Sequence, residues 1–170
     1  GVISWAIAVA VVYTVATGGS IFGGWLPKRF MNGGMDPSRA RKAAMFIYAL
    51  FPLTVLFASW LGTINTWLAV GAIAIACSAH QAWSANIFTT VSDMFPKRAI
   101  ASVTGLGGMA GAVGGVLLAR AAGLLLSHFT VVGHVEAGYV ILFIIGGSAY
   151  LMAWFLMHLL TPRFEQIRLN

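Results

Sequence analysis

Apolar stretches alternate with shorter polar segments along the whole chain. A helix needs about 20 apolar residues to cross the hydrocarbon core of a bilayer. Five stretches are of this kind, at 2–25, 43–61, 67–90, 99–126 and 138–160. Segments with alternating apolar and polar positions, which membrane strands require, are missing from the sequence. The pattern predicts an all-α membrane protein with five transmembrane helices in one helical domain.

The composition agrees with this prediction and excludes other classes of protein. Of the 170 residues, 59% are hydrophobic and 8% are charged, whereas soluble domains carry about 25% charged residues. So few charged side chains do not cover a water-soluble globule, and disordered chains have the opposite composition. The single cysteine, Cys77, excludes a disulfide or a cysteine metal site within the chain.

The basic residues predict the orientation of the helices. Nine of the ten lie in the first connection, the third connection or the C-terminal tail: Lys28, Arg29, Arg39, Arg41, Lys42, Lys97, Arg98, Arg163 and Arg168. The other two connections, 62–66 and 127–137, contain neither Lys nor Arg. By the positive-inside rule, we expect the basic connections and the C-terminus to be cytoplasmic. The net charge of +6 is therefore a topology signal and not a nucleic-acid-binding surface.

The number of spans suggests an incomplete chain. An odd number of spans with a cytoplasmic C-terminus places the first residue outside the cell. The sequence begins with Gly1, without an initiator Met or a signal peptide. We therefore expect the last five helices of a larger permease, which would not transport by themselves.

Polar residues are concentrated in the third apolar stretch, where their cost in hydrocarbon indicates a functional role. They are Ser78, His80, Gln81, Ser84, Asn86, Thr89 and Thr90, followed by Asp93. At about 100° per residue, Gln81, Ser84 and Phe88 share one helix face, and His80 lies one turn from Ser84. This combination favours a polyhydroxylated substrate. Alternatively, the groups only join neighbouring helices by hydrogen bonds, or His80 carries a proton.

The first stretch contains a second set of polar residues, and two stretches are rich in glycine. Tyr13, Thr17 and Ser20 share one face and are further candidates for substrate contact. The glycines are Gly18, Gly19, Gly23 and Gly24 in the first stretch and Gly105, Gly107, Gly108, Gly111, Gly114 and Gly115 in the fourth. Their spacing predicts close helix packing. A phosphate-binding loop is disfavoured because no Lys-Ser/Thr pair follows the second run.

Charged residues surround Pro96, where the third stretch ends. Asp93, Lys97 and Arg98 predict an ion-pair cluster at the end of a helix. Such a cluster can hold one conformation and release it in another, so we expect a conformational latch. The spacing of the histidines in the fourth connection is too loose for a metal site, and no metal or cofactor is expected.

Four motifs resemble a known family. They are Gly-Gly-Trp-Leu-Pro-Lys-Arg at 23–29, Ser-Arg-Ala-Arg-Lys at 38–42, His-Gln-Ala-Trp-Ser-Ala-Asn at 80–86, and Asp-Met-Phe-Pro-Lys-Arg at 93–98, which continues into Ser-Val-Thr-Gly-Leu-Gly-Gly at 102–108. Together they resemble the C-terminal half of a major facilitator superfamily transporter in the anion:cation symporter family, and the bacterial hexuronate transporters in particular.

The resemblance implies a fold and a site. The five spans would be transmembrane helices 8 to 12 of a twelve-helix protein of the bacterial inner membrane, without helix 7 and the N-terminal half. Such proteins take up hexuronates, aldonates or related anions with protons or sodium, by alternating access between two halves. Gln81, Ser84 and Asn86 match the family's cavity-lining helix 10, and Arg29 joins the latch. The family often has an acidic residue before Arg29, where this chain has Lys28.

We therefore expect a secondary transporter, and not an enzyme, that brings a hexuronate or related sugar acid into the cell with a proton. Its partners would be the anion, a proton or sodium, the bilayer and the missing N-terminal half. Phosphate, dicarboxylate and amino-acid anions are alternative substrates. A membrane-embedded transferase would need a catalytic His-Asp pair, and Asp93 has no His within a turn. A channel would need a charge ring or a re-entrant filter.

Overall fold

The computed structural model describes residues 2–166, with side chains from Ser4 onward, and every regular element in this range is helical. The helices are α1 (Val2–Asn32), α2 (Pro37–Leu50), α3 (Ala58–Ile64), α4 (Thr66–Met94), α5 (Lys97–Val131) and α6 (Val135–Leu160), and a 3₁₀ helix (Phe51–Phe57) joins α2 to α3. Five segments are long and apolar enough to cross a membrane, which confirms the predicted class. Gly1 and Arg168, used above, lie outside the described residues.

The helices run farther than the apolar stretches that predict them. α1 continues past 25 to Asn32, and α4 continues past 90 to Met94. The longest helix, α5, has 35 residues, so it is about 52 Å long at about 1.5 Å per residue. A hydrocarbon core is about 30 Å thick. The polar and charged ends of these helices therefore extend beyond the apolar layer that their centres fit.

The second span changes geometry in its middle, at Pro52. Proline has no N–H for the α-helical ladder, and α2 ends at Leu50, just before it. The chain continues as the 3₁₀ helix, in which Thr54 Oγ1 donates to the Ala72 carbonyl oxygen of α4 at 2.9 Å. α2, the 3₁₀ helix and α3 together form the span Pro37–Ile64.

α1 and α4 lie side by side in close contact, running in the same direction. Gly19 of α1 faces Ser78 of α4, and one turn later Gly23 faces Ala82. A Cβ atom on Gly23 would lie 2.7 Å from Ala82 Cα, and one on Gly19 would overlap the Ser78 carbonyl group. Small residues four apart on both helices let the backbones meet in this way. The predicted close packing is confirmed for α1.

The same prediction for the glycine run of α5 is not met within the described chain. A Cβ atom on any glycine from 105 to 115 would meet nothing within 4 Å. α5 packs against α6 and the edge of α4, and none of its residues is buried by the rest of residues 2–166. Glycine spacing permits another helix to pack closely, but it does not determine whether a helix lies there.

The buried core lies toward the basic end of the bundle, which we define as the end that carries Lys28, Arg29 and Lys97. Its centre is formed by α2 and α4, with the residues Ala44, Met45, Tyr48, Ala49, Ala82 and Trp83. Trp83 Nε1 donates to the Met45 carbonyl oxygen at 2.8 Å, and Trp154 Nε1 of α6 donates to the Lys42 carbonyl oxygen at 2.9 Å. These indole bonds join α2 to both α4 and α6.

Candidate functional site

The polar residues of α4 point in different directions, which separates those that pack helices from those that border open space. Asn86 faces α1 and is buried. His80 faces α6. Ser84 lines a groove between α4, α5 and α6. The cluster that looks continuous in the sequence is thus divided around the helix.

Asn86 satisfies a backbone carbonyl that a proline leaves without its usual partner. In an α-helix the N–H of residue 27 would bond to the carbonyl of residue 23, but Pro27, inside α1, has no N–H. Asn86 Nδ2 donates to the Gly23 carbonyl oxygen at 2.7 Å and to that of Ala82 at 2.9 Å. The Tyr48 hydroxyl donates to the Phe22 carbonyl oxygen at 2.8 Å and lies farther from the Gly23 oxygen, at 3.4 Å. The amide predicted to bind substrate therefore contributes to helix packing in this conformation.

His80 forms a hydrogen bond with Tyr150, a residue that no sequence pattern marks as part of the site. Its Nδ1 atom bonds to the hydroxyl group of Tyr150 on α6. The Tyr150 ring also packs edge-on against Trp83, with ring centroids 5.3 Å apart. His80 lies at the centre of α4, about 21 Å from either end at about 1.5 Å per residue. The pair therefore lies near the middle of this span.

A groove of about 260 Å³ extends from this pair along α4 toward α5. The polar residues of its lining are His80, Ser84, Thr104 and Tyr150. The α5 side includes Gly107 and Gly108, which leave room beside the α4 helix. Hydroxyl and imidazole groups both donate and accept hydrogen bonds. These four polar side chains lie in a lining that is otherwise apolar and includes Ile87, Phe88, Val91 and Val103, and we call this groove the polar groove.

The remaining predicted residues border a second open surface, beside α1. Val15 and Phe22 lie on the flank of α1 that faces Tyr48, and at about 100° per residue Tyr13 and Thr17 lie on the opposite flank. Tyr13 is 71% exposed, and the Thr17 hydroxyl donates to the Tyr13 carbonyl oxygen. By the same helical spacing, half-buried Gln81 lies on this flank of α4.

The predicted latch has a partner from another helix. Asp93, at the end of α4, pairs with Arg41 of α2, with 2.5 Å between Arg41 Nε and Asp93 Oδ2. Lys97, Arg98 and Arg29 are exposed at the same basic end. The C-terminal tail also reaches α2 here, because the Phe164 N–H donates to Ser38 Oγ at 2.9 Å and Lys42 Nζ donates to the Thr161 carbonyl. The sequence predicts Arg41 as a topology signal and as part of the motif at 38–42, but not as the partner of Asp93.

The described residues contain no group of three or more His, Cys, Asp or Glu side chains that could hold a metal ion. No protein-family model, curated protein or solved structure matches this chain. The function is therefore inferred from the groove and its surrounding helices.

Proposed function

We propose that this chain belongs to a secondary transporter of the major facilitator type, which takes up a hexuronate or a related sugar-acid anion with a proton by alternating access. Its five spans would correspond to helices 8 to 12 of the twelve-helix fold, with the basic end and the C-terminus in the cytoplasm of a bacterium. The observation that supports this function best is the groove beside His80, at the middle of α4, where Ser84, Thr104 and Tyr150 also line it.

The chemistry of the groove supports a polyhydroxylated substrate. Ser84, Thr104 and Tyr150 contribute three hydroxyl groups to the groove that His80 lines, and the Ser84 and Thr104 hydroxyls can each donate to one ligand oxygen and accept from another hydroxyl. Polar groups in the membrane interior are costly unless they serve a pathway or join helices. Gln81 and Tyr13 add an amide and a phenol on the neighbouring open flank.

The packing of the bundle supports movement between two states. α1, α2, α4 and α6 are joined by hydrogen bonds from Tyr48, Trp83, Asn86 and Trp154 to backbone carbonyls, and this favours motion as one unit. The Arg41–Asp93 pair lies at the basic end, where a cytoplasmic gate would open and close. Ion pairs that form in one state and break in the other are a common way to switch conformations.

Uptake of radiolabelled glucuronate or galacturonate tests the proposed function. Cells that express the full-length protein should accumulate the label, and a protonophore should abolish accumulation. Replacing the proton gradient with a sodium gradient identifies the coupling ion. Absence of accumulation, with surface expression verified, would contradict the sugar-acid assignment and direct the search to phosphate, dicarboxylates and amino-acid anions.

Substitutions test the residues. Gln81→Ala and Ser84→Ala should each raise the KM for uptake while membrane insertion stays normal, because each removes a polar group beside the groove or the open flank. Thr89→Ala is a matched control on the same helix, since the Thr89 hydroxyl donates to the Ala85 carbonyl of its own helix at 2.7 Å. Unchanged uptake kinetics in both test variants would refute the site assignment.

A further inference from the structure

The His80–Tyr150 pair lines two grooves, both mainly apolar, of which only one also carries Ser84 and Thr104. On the α5 side lies the polar groove described above. On the other side lies a groove of about 310 Å³ between the 3₁₀ helix, α4 and α6, whose lining is mainly apolar and includes Pro52, Val55 and Phe143. His80 and Tyr150 line both grooves. A change in the state of this pair therefore alters the boundary between the two.

The pair can gain a proton without losing the contact between α4 and α6. A neutral imidazole whose Nδ1 carries no hydrogen accepts the Tyr150 O–H, whereas a protonated imidazole only donates. Protonation therefore reverses the bond, so that His80 Nδ1–H donates to the Tyr150 oxygen. The Tyr150 hydroxyl hydrogen is then free to point into the polar groove.

Few other titratable groups surround His80. Cys77 of α4 lines the apolar groove, and Tyr150 is the titratable group contributed by α6. Within the described residues, neither α5 nor the 3₁₀ helix contributes Asp, Glu, Lys or Arg to the lining of either groove. His80 is exposed on α4 within the described residues, and a charge on its ring would act directly on a ligand in the groove. Protonated His80 would thus be the positive group nearest to a ligand in the polar groove.

We propose that His80 carries the coupling proton, and that the reversed bond to Tyr150 makes the groove accept an anion. This inference rests on the function proposed above. The Tyr150 hydroxyl proton passes to His80 Nδ1 while the Tyr150 oxygen takes a proton from a hydronium ion in the groove, which leaves water. The imidazolium charge and the freed hydroxyl then both attract the anion. By linkage, the proton and the anion raise each other's affinity, which is the condition for moving them together.

Two transport assays on the full-length protein in proteoliposomes separate proton coupling from substrate binding. Accumulation of radiolabelled glucuronate under an imposed proton gradient requires coupling. Counterflow exchange of the same compound, without a gradient, requires only binding and conformational change. The variants are His80→Gln and Tyr150→Phe. Ser148→Ala is the control on α6, because the Ser148 hydroxyl donates to the Ile144 carbonyl of its own helix at 2.6 Å.

The wild type should accumulate glucuronate, and its KM for counterflow should fall as the pH is lowered. His80→Gln should retain counterflow at saturating glucuronate, with a KM that is raised to the wild-type value at alkaline pH and no longer depends on pH, and its accumulation should drop to the level reached with a protonophore. Tyr150→Phe should still accumulate the compound, with a raised KM at acidic pH because the donor hydroxyl is gone. Ser148→Ala should match the wild type.

Three results would overturn the role of His80 while the proposed function stands. The first is accumulation of glucuronate by His80→Gln at the wild-type level, and the second is an unchanged pH dependence of its KM. Loss of counterflow at saturating glucuronate in a His80→Gln protein that elutes as a folded species would show that His80 is required for the transport cycle itself and not for coupling alone. If the wild type shows neither accumulation nor counterflow of glucuronate or galacturonate, the proposed function itself fails.

Discussion

Replacing Asn86 with alanine removes the nearest donor to the Gly23 carbonyl oxygen. Pro27 supplies no N–H to this oxygen, and the Tyr48 hydroxyl is farther away, at 3.4 Å, than Asn86 Nδ2, at 2.7 Å. An unsatisfied buried polar group costs about 1–3 kcal/mol, whereas hydrogen bonds between membrane helices average about 0.6 kcal/mol. We therefore expect the lost bond to lower the free energy of unfolding by about 1–2 kcal/mol.

The same substitution should cost less when Pro27 is also replaced by alanine. The alanine N–H then donates to the Gly23 carbonyl oxygen, as in an uninterrupted helix. The cavity left by the amide is present in both backgrounds, so the difference between the two costs isolates the hydrogen bond. We expect a coupling of about 1 kcal/mol between Asn86→Ala and Pro27→Ala. Reversible unfolding of the full-length protein by SDS in mixed micelles measures all four members of the cycle.

An equal cost of Asn86→Ala in both backgrounds would refute this reasoning. It would mean that the amide stabilises the protein through packing alone, and that the proline does not create the need for a donor. A larger cost in the Pro27→Ala background would also contradict it, because the restored N–H should replace the amide and not depend on it.

Two further predictions concern the contacts that hold the helices together. Gly23→Ala should lower the free energy of unfolding by about 1–3 kcal/mol through overpacking. Gly24→Ala is the control and should be neutral or stabilising, because a Cβ atom there meets nothing within 4 Å. Similar SDS midpoints for the two variants would contradict the close contact between α1 and α4. Arg41→Gln should lower stability by about 0.5 kcal/mol at low salt and less at high salt, because Asp93 is 42% exposed. Arg39→Gln is the exposed control, and an equal loss in both variants would argue against a specific pair.

The sequence predicts the helices well because the length and apolarity of each segment are enough to specify a membrane-spanning helix. It predicts their contacts less well, since these depend on which segments meet. The glycines of α1 and α5 have the same kind of spacing, but α4 lies against Gly19 and Gly23, while the glycines of α5 face open space in the described chain. Local spacing specifies where a backbone can approach, and tertiary packing determines whether one does.

The sequence also predicts the residues of the candidate site better than it predicts their partners. Asn86 and Gln81 are both amides of one helix, and only the position of Pro27 on α1 explains why Asn86 bonds to backbone. Asp93 lies close in sequence to Lys97 and Arg98, yet its partner Arg41 is 52 residues away. Tyr150 lies in an apolar stretch with no pattern of its own, so its bond to His80 is revealed only by the folded structure, in which α6 packs on α2 and the 3₁₀ helix.

The bonds that join the core helices also affect how this protein can vary in sequence. Indole and amide groups of Trp83, Trp154 and Asn86 all donate to main-chain oxygens, at Met45, Lys42 and Gly23. A main-chain oxygen is present whatever side chain the accepting residue carries. Substitutions at Met45 or Lys42 can therefore keep these bonds, while substitutions of the donors cannot. In related sequences, we expect the three donor residues to stay the same while the residues at the acceptor positions vary independently of them.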